Sequence, residues 1–347
     1  MTSTPGTQGR PRRRPTMADV AKEAGVSRTL VSFILDGKPG ASPETKERVL
    51  DVAQRIGYQP DSAARLLARG RSRTLGVLMD VQQLFEADLV TAIYPAAEAL
   101  GYDVLLSANL PDRAESVPIE ALLSHRCGGL ILLGPTSGIE YLSDLSERAP
   151  VVVVGRRLAE RPRRLATVRT DDEHGIELAV EYLYELGHRS IHHVDGGSDP
   201  GGVERRGAYQ EAMRSRGLSS ETRVIAGAHD EAAGANAARA MLAAETALPT
   251  AVLASNDRCA LGLLDVFTRA GVNIPGELSL IGFDDSALSD NPRIDLTTVH
   301  QDARALAEHA VRLAVSMLDE RADIDLDVVL EPSLVVRGTT AAPRSAP

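Results

Sequence analysis

Hydrophobic residues between positions 16 and 58 recur at the three- and four-residue spacing of short amphipathic helices. They form three stripes: Val20 and Ala21; Leu30, Val31, Ile34 and Leu35; and Val49, Val52, Ala53 and Ile56. Each stripe suits one face of a short helix. Since so short a helix is marginal alone in water, the three helices are expected to pack on one another.

Capping residues mark where these three helices begin and end. The residues are Thr16 with Asp19, Gly25, Ser27, Ser42 with Pro43 and Glu44, and Gly57. Gly25 permits the left-handed turn that lets a second helix start at once. Two short helices joined in this way and braced by a third indicate an all-α helix-turn-helix DNA-binding head at residues 16–60. A small three-helix domain without nucleic acid is the alternative.

From Thr74 onward, continuous apolar runs alternate with amphipathic stretches. This alternation predicts an α/β body of two doubly wound lobes, each with a parallel sheet covered by helices. Its strands are expected at 75–80, 103–108, 128–134, 151–155, 167–172, 190–196, 223–227, 251–257, 278–285, 297–302 and 327–336. Lobe 1 is expected at about 74–168 and 300–322, and lobe 2 at about 169–297 and 325–338. The strand at 167–172 opens the second repeat, and ligands should bind between the carboxyl ends of the strands.

The charge distribution separates the two parts of the chain. Residues 1–73 carry 14 Arg and Lys against 7 Asp and Glu, whereas the rest carries 24 against 41. A net +7 beside a net −17 predicts a head that meets phosphates and a body that does not. Residues 1–15 are expected to be a disordered basic arm that adds phosphate attraction, or else an inert solvated tail.

Other classes of protein are disfavoured by composition. No run of 18 apolar residues predicts a membrane span, and the first residues lack the apolar region of a secretory signal. Cys127 and Cys259 are far apart and lack metal-ligand spacing, which favours a reducing cytoplasm. Adjacent His192 and His193 point to opposite faces of a strand, so no metal site is expected. No catalytic set or nucleotide-binding loop is legible, so neither an enzyme nor a cofactor is predicted.

Residues 61–73 are predicted to form a hinge helix and linker. Pro60 breaks the chain, and a helix of this length is marginal in water, so it should order only with DNA or a partner subunit. Several motifs here and in the head resemble the LacI/GalR (lactose/purine-repressor) family of bacterial transcription regulators. They are D-V-A-x-x-A-G-V-S at 19–27, S-P-E-T-x-x-R-V at 42–49, G-Y-x-P at 57–60 and A-R-x-L at 64–67.

The body resembles the same family, which shares its two-lobe form with periplasmic sugar-binding proteins. The matching motifs are V-x-x-D at 168–171, L-G-H-R-x-I at 186–191, S-N-D-x-x-A-L-G at 255–262 and G-V-x-I-P-x-E-L-S-L-I-G-F-D-D at 271–285. The resemblance spans roughly residues 16–338. It implies a DNA-binding regulator, expected to be a repressor, whose operator affinity is set by a sugar-like or purine-like effector. A solute-binding protein for a transporter is the alternative.

The resemblance also implies which residues of the head meet DNA. The set is Thr16, Ser27, Arg28, Thr29, Ser32, Phe33, Ala64 and Leu67. Arg28 and Thr29 are expected at base edges, and Ser27 and Ser32 at phosphates. Phe33 either touches a thymine methyl or packs on the head. Leu67 is the expected minor-groove wedge or a packed linker residue; two wedges placed together require a homodimer on a near-palindromic operator.

In the body, the resemblance implies an effector site at the strand ends. Its residues are Asp80, Phe85, Asp171, Arg205, Asn256 and Asp284. Arg206 is a rival to Arg205 for the cleft, and Asp257 is expected to cap the following helix. Glu86 stands where several family members have an aromatic residue, which leaves stacking of the ligand between two rings open.

Overall fold

The computed structural model describes residues 15–35, 38–58, 72–159, 162–321 and 324–344. The chain divides into two compact units, residues 1–72 and 73–347. Most of the expected arm and hinge, with Ala64 and Leu67, lies outside the described residues. No helix within the described ranges is long and apolar enough to cross a membrane.

Three helices form the head: α1 (Met17–Ala24), α2 (Arg28–Leu35) and α3 (Pro43–Ile56). The Thr16 hydroxyl accepts from the Asp19 N–H, and the Asp19 carboxylate accepts from the Thr16 N–H at 2.8 Å, which completes a capping box. Gly25 has a φ of 68°, the left-handed turn that joins α1 to α2. The predicted helices are therefore confirmed. Their apolar stripes meet in one core: Val20, Ala21, Ala24, Val31, Ile34, Val49, Val52 and Ala53.

The first lobe of the body contains a six-stranded sheet whose pairs are all parallel. Its strands are β1 (Thr74–Asp80), β2 (Asp103–Asn109), β3 (Gly129–Leu133), β4 (Val151–Val154), β5 (Leu165–Thr170) and β11 (Asp327–Leu330). They lie in the order β11-β5-β4-β3-β1-β2. The helices are α4 (Leu84–Ala99), α5 (Ser116–Ser124), α6 (Ile139–Arg148) and α11 (Ala303–Leu318). Helices α4 and α11 bury one face and α5 and α6 the other. The central strands β3 and β4 are covered on both faces and are therefore apolar throughout.

The second lobe repeats this architecture with another six-stranded sheet. Its strands are β6 (Ile191–Val194), β7 (Arg223–Ile225), β8 (Ala251–Leu253), β9 (Ser279–Asp284), β10 (Thr297–His300) and β12 (Ser333–Val335), in the order β12-β10-β9-β8-β6-β7. The pairs are parallel except β10 with β12, which is antiparallel. The helices are α7 (Asp172–Glu185), α8 (Gly202–Ser215), α9 (Glu231–Ala243) and α10 (Asp257–Arg269), with a short 3₁₀ turn at Ser219–Glu221.

Two expectations about the lobes were wrong. The strand expected to open lobe 2 is β5, which pairs with β4 and β11 in the first sheet. The single strand expected at 327–336 is two strands, because Pro332 interrupts it: β11 joins the first sheet and β12 the second. The chain therefore crosses between the lobes after β5, after β10 and after β11.

Candidate functional site

The head presents a polar surface at the start of α2. Ser27, Arg28 and Thr29 are exposed there, while the Ser27 hydroxyl accepts from the Leu30 N–H at 3.1 Å and caps the helix. Val31 and Ile34 hold the opposite face in the core. The helix thus offers its first residues to solvent, as a helix that reads base edges must.

Phe33 lies on the same helix and is 40% exposed, so it does not pack into the head core. The Lys38 ammonium lies 5.4 Å from the centre of its ring. Ser32 and Thr16 are half-buried. Phe33 therefore lies outside the buried core of the head, and both interpretations of its role stay open.

In the body, a cleft lies between the two lobes where the carboxyl ends of both sheets converge. Its cavity volume is about 120 Å³. Polar lining residues from the first lobe are Asp80, Gln83, Glu86, Asn109, Glu115 and Thr136, and those from the second are Asp199, Arg205, His229, Asn256, Asp284 and Gln301. Phe85, three leucines and Val154 supply most of the apolar part of the wall. A cavity in which apolar side chains and convergent polar groups meet is typical of a small-molecule site.

Arg205, at the start of α8, is the buried cation of this cleft. Its Nε donates to the Asp172 carboxylate at 2.7 Å, its Nη1 donates to the Ser255 carbonyl at 2.6 Å, and its guanidinium lies 3.5 Å from the centre of the Phe283 ring. Burial raises the pKa of Asp172, and the charge of Arg205 opposes that rise. The rival Arg206 does not line the cleft and pairs instead with Asp195 at 2.7 Å.

Asp284 and Asn256 reach the cleft from neighbouring strands of the second sheet. Asp284 is the last residue of β9, and its φ of 116° is a conformation that L side chains rarely adopt. Its carboxylate accepts from the Gln301 side-chain amide at 2.8 Å, and burial, then the neighbouring Asp257, raises its pKa to about 8 although Arg205 opposes this. Asn256 also caps α10, accepting from the Cys259 N–H at 2.9 Å.

Two aspartates do not occupy their expected places. Asp171 does not line the cleft, because its carboxylate caps α7 by accepting from the His174 N–H at 3.1 Å. The next residue, Asp172, turns inward to Arg205. Asp257 does not cap α10; its carboxylate accepts from Ser286 and from the Thr298 hydroxyl and so holds the loop after β9 to the sheet.

Sequence reasoning missed several lining residues, Gln301 and Asp199 among them. Gln301 directly follows β10, and its position at a strand end was a signal that could have found it. Asp199 lies in the loop between β6 and α8, where periodicity gives no indication; its carboxylate accepts from the His229 N–H at 3.1 Å. Burial lowers the pKa of His229 to about 3, so its imidazole is neutral.

Comparison with known proteins assigns both parts of the chain. Residues 16–61 match the family described as bacterial regulatory proteins, lacI family, and residues 180–340 match a periplasmic binding protein-like domain. The regulator GalR of Escherichia coli strain K12 is 31% identical over 333 residues, which cover 94% of this chain and 96% of GalR. The chain belongs to the LacI family. It is a DNA-binding transcriptional regulator of that family.

Solved structures agree with the LacI-family fold over both parts. A LacI transcriptional regulator from a Rhodococcus species is 44% identical, with a TM-score of 0.74 over 78% of this chain and 99% of that one. A lac repressor dimer bound to operator and the anti-inducer ONPF is 26% identical, with a TM-score of 0.81 over 95% of this chain and 100% of that one.

Proposed function

We propose that the chain is a transcriptional repressor whose affinity for a near-palindromic operator is set by a small hydroxylated effector in the interlobe cleft. The observation that carries this is the cleft itself, in which buried hydrogen-bonding groups from both lobes converge on one cavity. A ligand that touches both lobes binds one lobe arrangement better than another, which is the requirement for a ligand to shift a conformational equilibrium.

On the DNA side, the proposed contacts are Arg28 and Thr29 with base edges, Ser27 and Ser32 with phosphates, and Phe33 with a thymine methyl. Exposure of Arg28 and Phe33 in the head supports these roles. Thr16, Ala64 and the wedge residue Leu67 remain proposals from the family resemblance.

The proposed assembly is a homodimer, in keeping with the lac repressor dimer on its operator. Apolar side chains on the surface of the first lobe support it: Tyr94 on α4 is 46% exposed, and Leu100 directly after that helix is 42% exposed. We propose no catalytic role and no cofactor. A target in chromosomal DNA puts the site of action in the cytoplasm, at the nucleoid.

The proposed effector contacts are Asp80, Phe85, Arg205, Asn256 and Asp284, with Glu86 and Gln301 added and Asp171 removed. Operator selection from fragmented genomic DNA, followed by fluorescence anisotropy with a panel of sugars and nucleosides, tests the function. We expect a preferred near-palindrome whose affinity changes with one class of ligand. Equal affinity for all fragments would contradict DNA recognition. Ligand binding without any change in operator affinity would contradict control by the effector and favour the solute-binding alternative.

A further inference from the structure

The effector cleft has an excess of acidic side chains. Its lining carries five carboxyl groups: Asp80, Glu86, Glu115, Asp199 and Asp284. Among the described lining residues the one arginine or lysine is Arg205, whose charge is already matched by Asp172 at 2.7 Å. Since His229 is neutral, the cleft holds no cation that is free to balance the five carboxyl groups.

Neutral donors hold these carboxyl groups in place. Glu86, 7% exposed on α4, accepts from the Asp80 N–H at 2.6 Å, and Asp284 accepts from the Gln301 amide at 2.8 Å. Within the described part of the chain, neither carboxyl group has a lysine or arginine nitrogen within 4.0 Å. Each uses one oxygen in these bonds, so the other oxygen is available to a ligand.

Glu115 in the first lobe and Asp199 in the second are also held by neutral hydrogen-bond donors. Glu115 accepts from the Thr136 and Ser137 N–H groups, both at 2.9 Å, and Asp199 is held by a backbone N–H as described above. These bonds orient the carboxyl groups without neutralising them. Crowding several carboxyl groups around one cavity without a counter-charge disfavours their ionised forms, and a cationic ligand would favour those forms.

Titration behaviour agrees with this geometry. Burial raises the pKa of Glu86 well above its ordinary value, and Asp80, Glu115 and Asp284 raise it further by repulsion, while the Asp80 N–H opposes the rise. Asp284, whose pKa is about 8, faces Arg205, Asp257 and Asp172 as well as the Gln301 amide. Both shifts favour the protonated form of the carboxyl group, and a bound cation would favour loss of the proton.

The size of the cleft limits the ligand. A water-sized group needs a cavity volume of roughly 10–15 Å³. A cavity of about 120 Å³ therefore has room for roughly ten such groups. This is the scale of a single sugar ring with its substituents. Asn109, whose Oδ1 is buried without a described partner, and Asn256 add hydrogen-bonding groups suited to hydroxyls.

We propose that the effector is a monosaccharide-sized hydroxylated molecule that carries an ammonium group, as amino sugars do, and that Glu86 and Asp284 receive this group between the lobes. The inference rests on the proposed effector function of the same cleft. Glu86 belongs to the first lobe and Asp284 to the second, so an ammonium group between them draws the lobes together. The charge of the ligand thereby helps to select the arrangement of the two lobes that it binds.

Isothermal titration of the full chain with matched sugars tests the charge requirement. The pairs are D-glucosamine with D-glucose, D-galactosamine with D-galactose and D-mannosamine with D-mannose, with the N-acetyl forms as neutral controls of similar shape. We expect one ammonium sugar to bind at least tenfold more tightly than its neutral partners. Titration in two buffers of different ionisation enthalpy should show protons released from Glu86 and Asp284.

Two nearly isosteric variants test the receiving groups. Glu86→Gln keeps the acceptor for the Asp80 N–H, and Asp284→Asn keeps the acceptor for Gln301, so both should fold. Each should weaken binding of the ammonium sugar tenfold or more and reduce proton release, with little change for the neutral sugars. Glu140→Gln, at the exposed start of α6, is the matched control and should change neither the affinity for the ammonium sugar nor the proton release.

Three outcomes would overturn the inference. They are tighter binding of a neutral sugar, equal binding within a pair, and no binding by any ammonium sugar at millimolar concentration. Operator binding measured in parallel separates this from the proposed function: a chain that binds its operator but not amino sugars refutes only the ligand class, whereas one without a preferred operator refutes the regulator.

Discussion

At the scale of single residues, Arg205 shows how a cleft residue can also hold the fold together. Its partners, Asp172, the Ser255 carbonyl and the Phe283 ring, all belong to its own lobe. Arg205 is therefore expected to stabilise its own lobe as well as to line the cleft. Removing its guanidinium strands a buried carboxylate, which is far costlier than losing an exposed ion pair.

Arg205→Ala should lower the free energy of unfolding by about 3–5 kcal/mol, because Asp172 loses its buried counter-charge. Urea denaturation followed by circular dichroism measures the loss. Arg206→Ala is the matched control and should cost less, because Asp195 keeps the N–H groups of Gly197 and Gly227. Equal losses from the two variants would contradict a structural role for Arg205.

Asp284 should make stability depend on pH. Its pKa is about 8 in the folded chain against an ordinary value of 3.8, so the folded state binds more protons between these values. Stability should therefore fall as pH rises through that window, and Asp284→Asn should flatten the fall. Asp257, whose pKa burial raises to about 6, adds to the same slope and remains in the variant. Unfolding free energies measured from pH 5 to 8 by denaturant titration test this; parallel profiles would refute it.

Arg28→Ala should weaken binding to the preferred operator by about 1–3 kcal/mol and relax the preference at one base pair, because guanidinium forks pair with guanine edges. Binding to random DNA should change little. Anisotropy titrations with the operator and a scrambled duplex measure both. An equal loss on the two duplexes would show that Arg28 meets only phosphate.

Residue types and motifs predicted much of the cleft, yet not which of two neighbours would face it. Asp171 and Asp172 have the same chemistry, and only the start of α7 decides that one caps and the other turns inward. Likewise Asn256 caps α10, whereas the Asp257 carboxylate accepts from the Ser286 N–H in the loop after β9. Such choices depend on side-chain directions at a helix start, which a sequence pattern does not contain.

At the scale of elements, helix ends were predictable because capping is local, whereas strand partners were not. β11 and β12 lie only two residues apart, but they pair with strands distant in sequence. Helix α9 packs closely on α10 through two glycines, Gly234 and Gly262, and the chain spacing gave no indication of this approach either. A methyl group on either glycine would overlap the backbone of the facing helix.

Gly262→Ala should destabilise the body by about 1–3 kcal/mol or more, because α9 and α10 would have to move apart. Gly207→Ala is the control. It lies inside α8 with open space around it, so it should stabilise by about 0.5–1 kcal/mol. Thermal unfolding of both variants gives the comparison, and a neutral Gly262→Ala would show that the helices can separate at no cost.

At the scale of the whole molecule, positive charge is concentrated in residues 1–73 and negative charge in the remainder. Operator affinity should therefore depend steeply on salt, since phosphate contacts release counterions. A regulator with six or more phosphate contacts should lose about 10³-fold in affinity between about 50 mM and about 200 mM salt. Anisotropy at several salt concentrations measures the slope, with thermal midpoints as a check on folding; a flat dependence would contradict the role of the basic part.

The three crossings between the lobes bear on how the protein is made. The first sheet is incomplete until β11 has been synthesised, and the second until β12 and residues 337–341, which bond to β9, β10 and His188, have followed. Neither lobe can therefore complete its sheet until nearly the whole chain has been synthesised, although domains ordinarily fold in order from the N-terminus. A nonsense codon before residue 327 would therefore cost both lobes an edge strand at once. The three helices of the head end at Ile56, so all of them would be present in the truncated product.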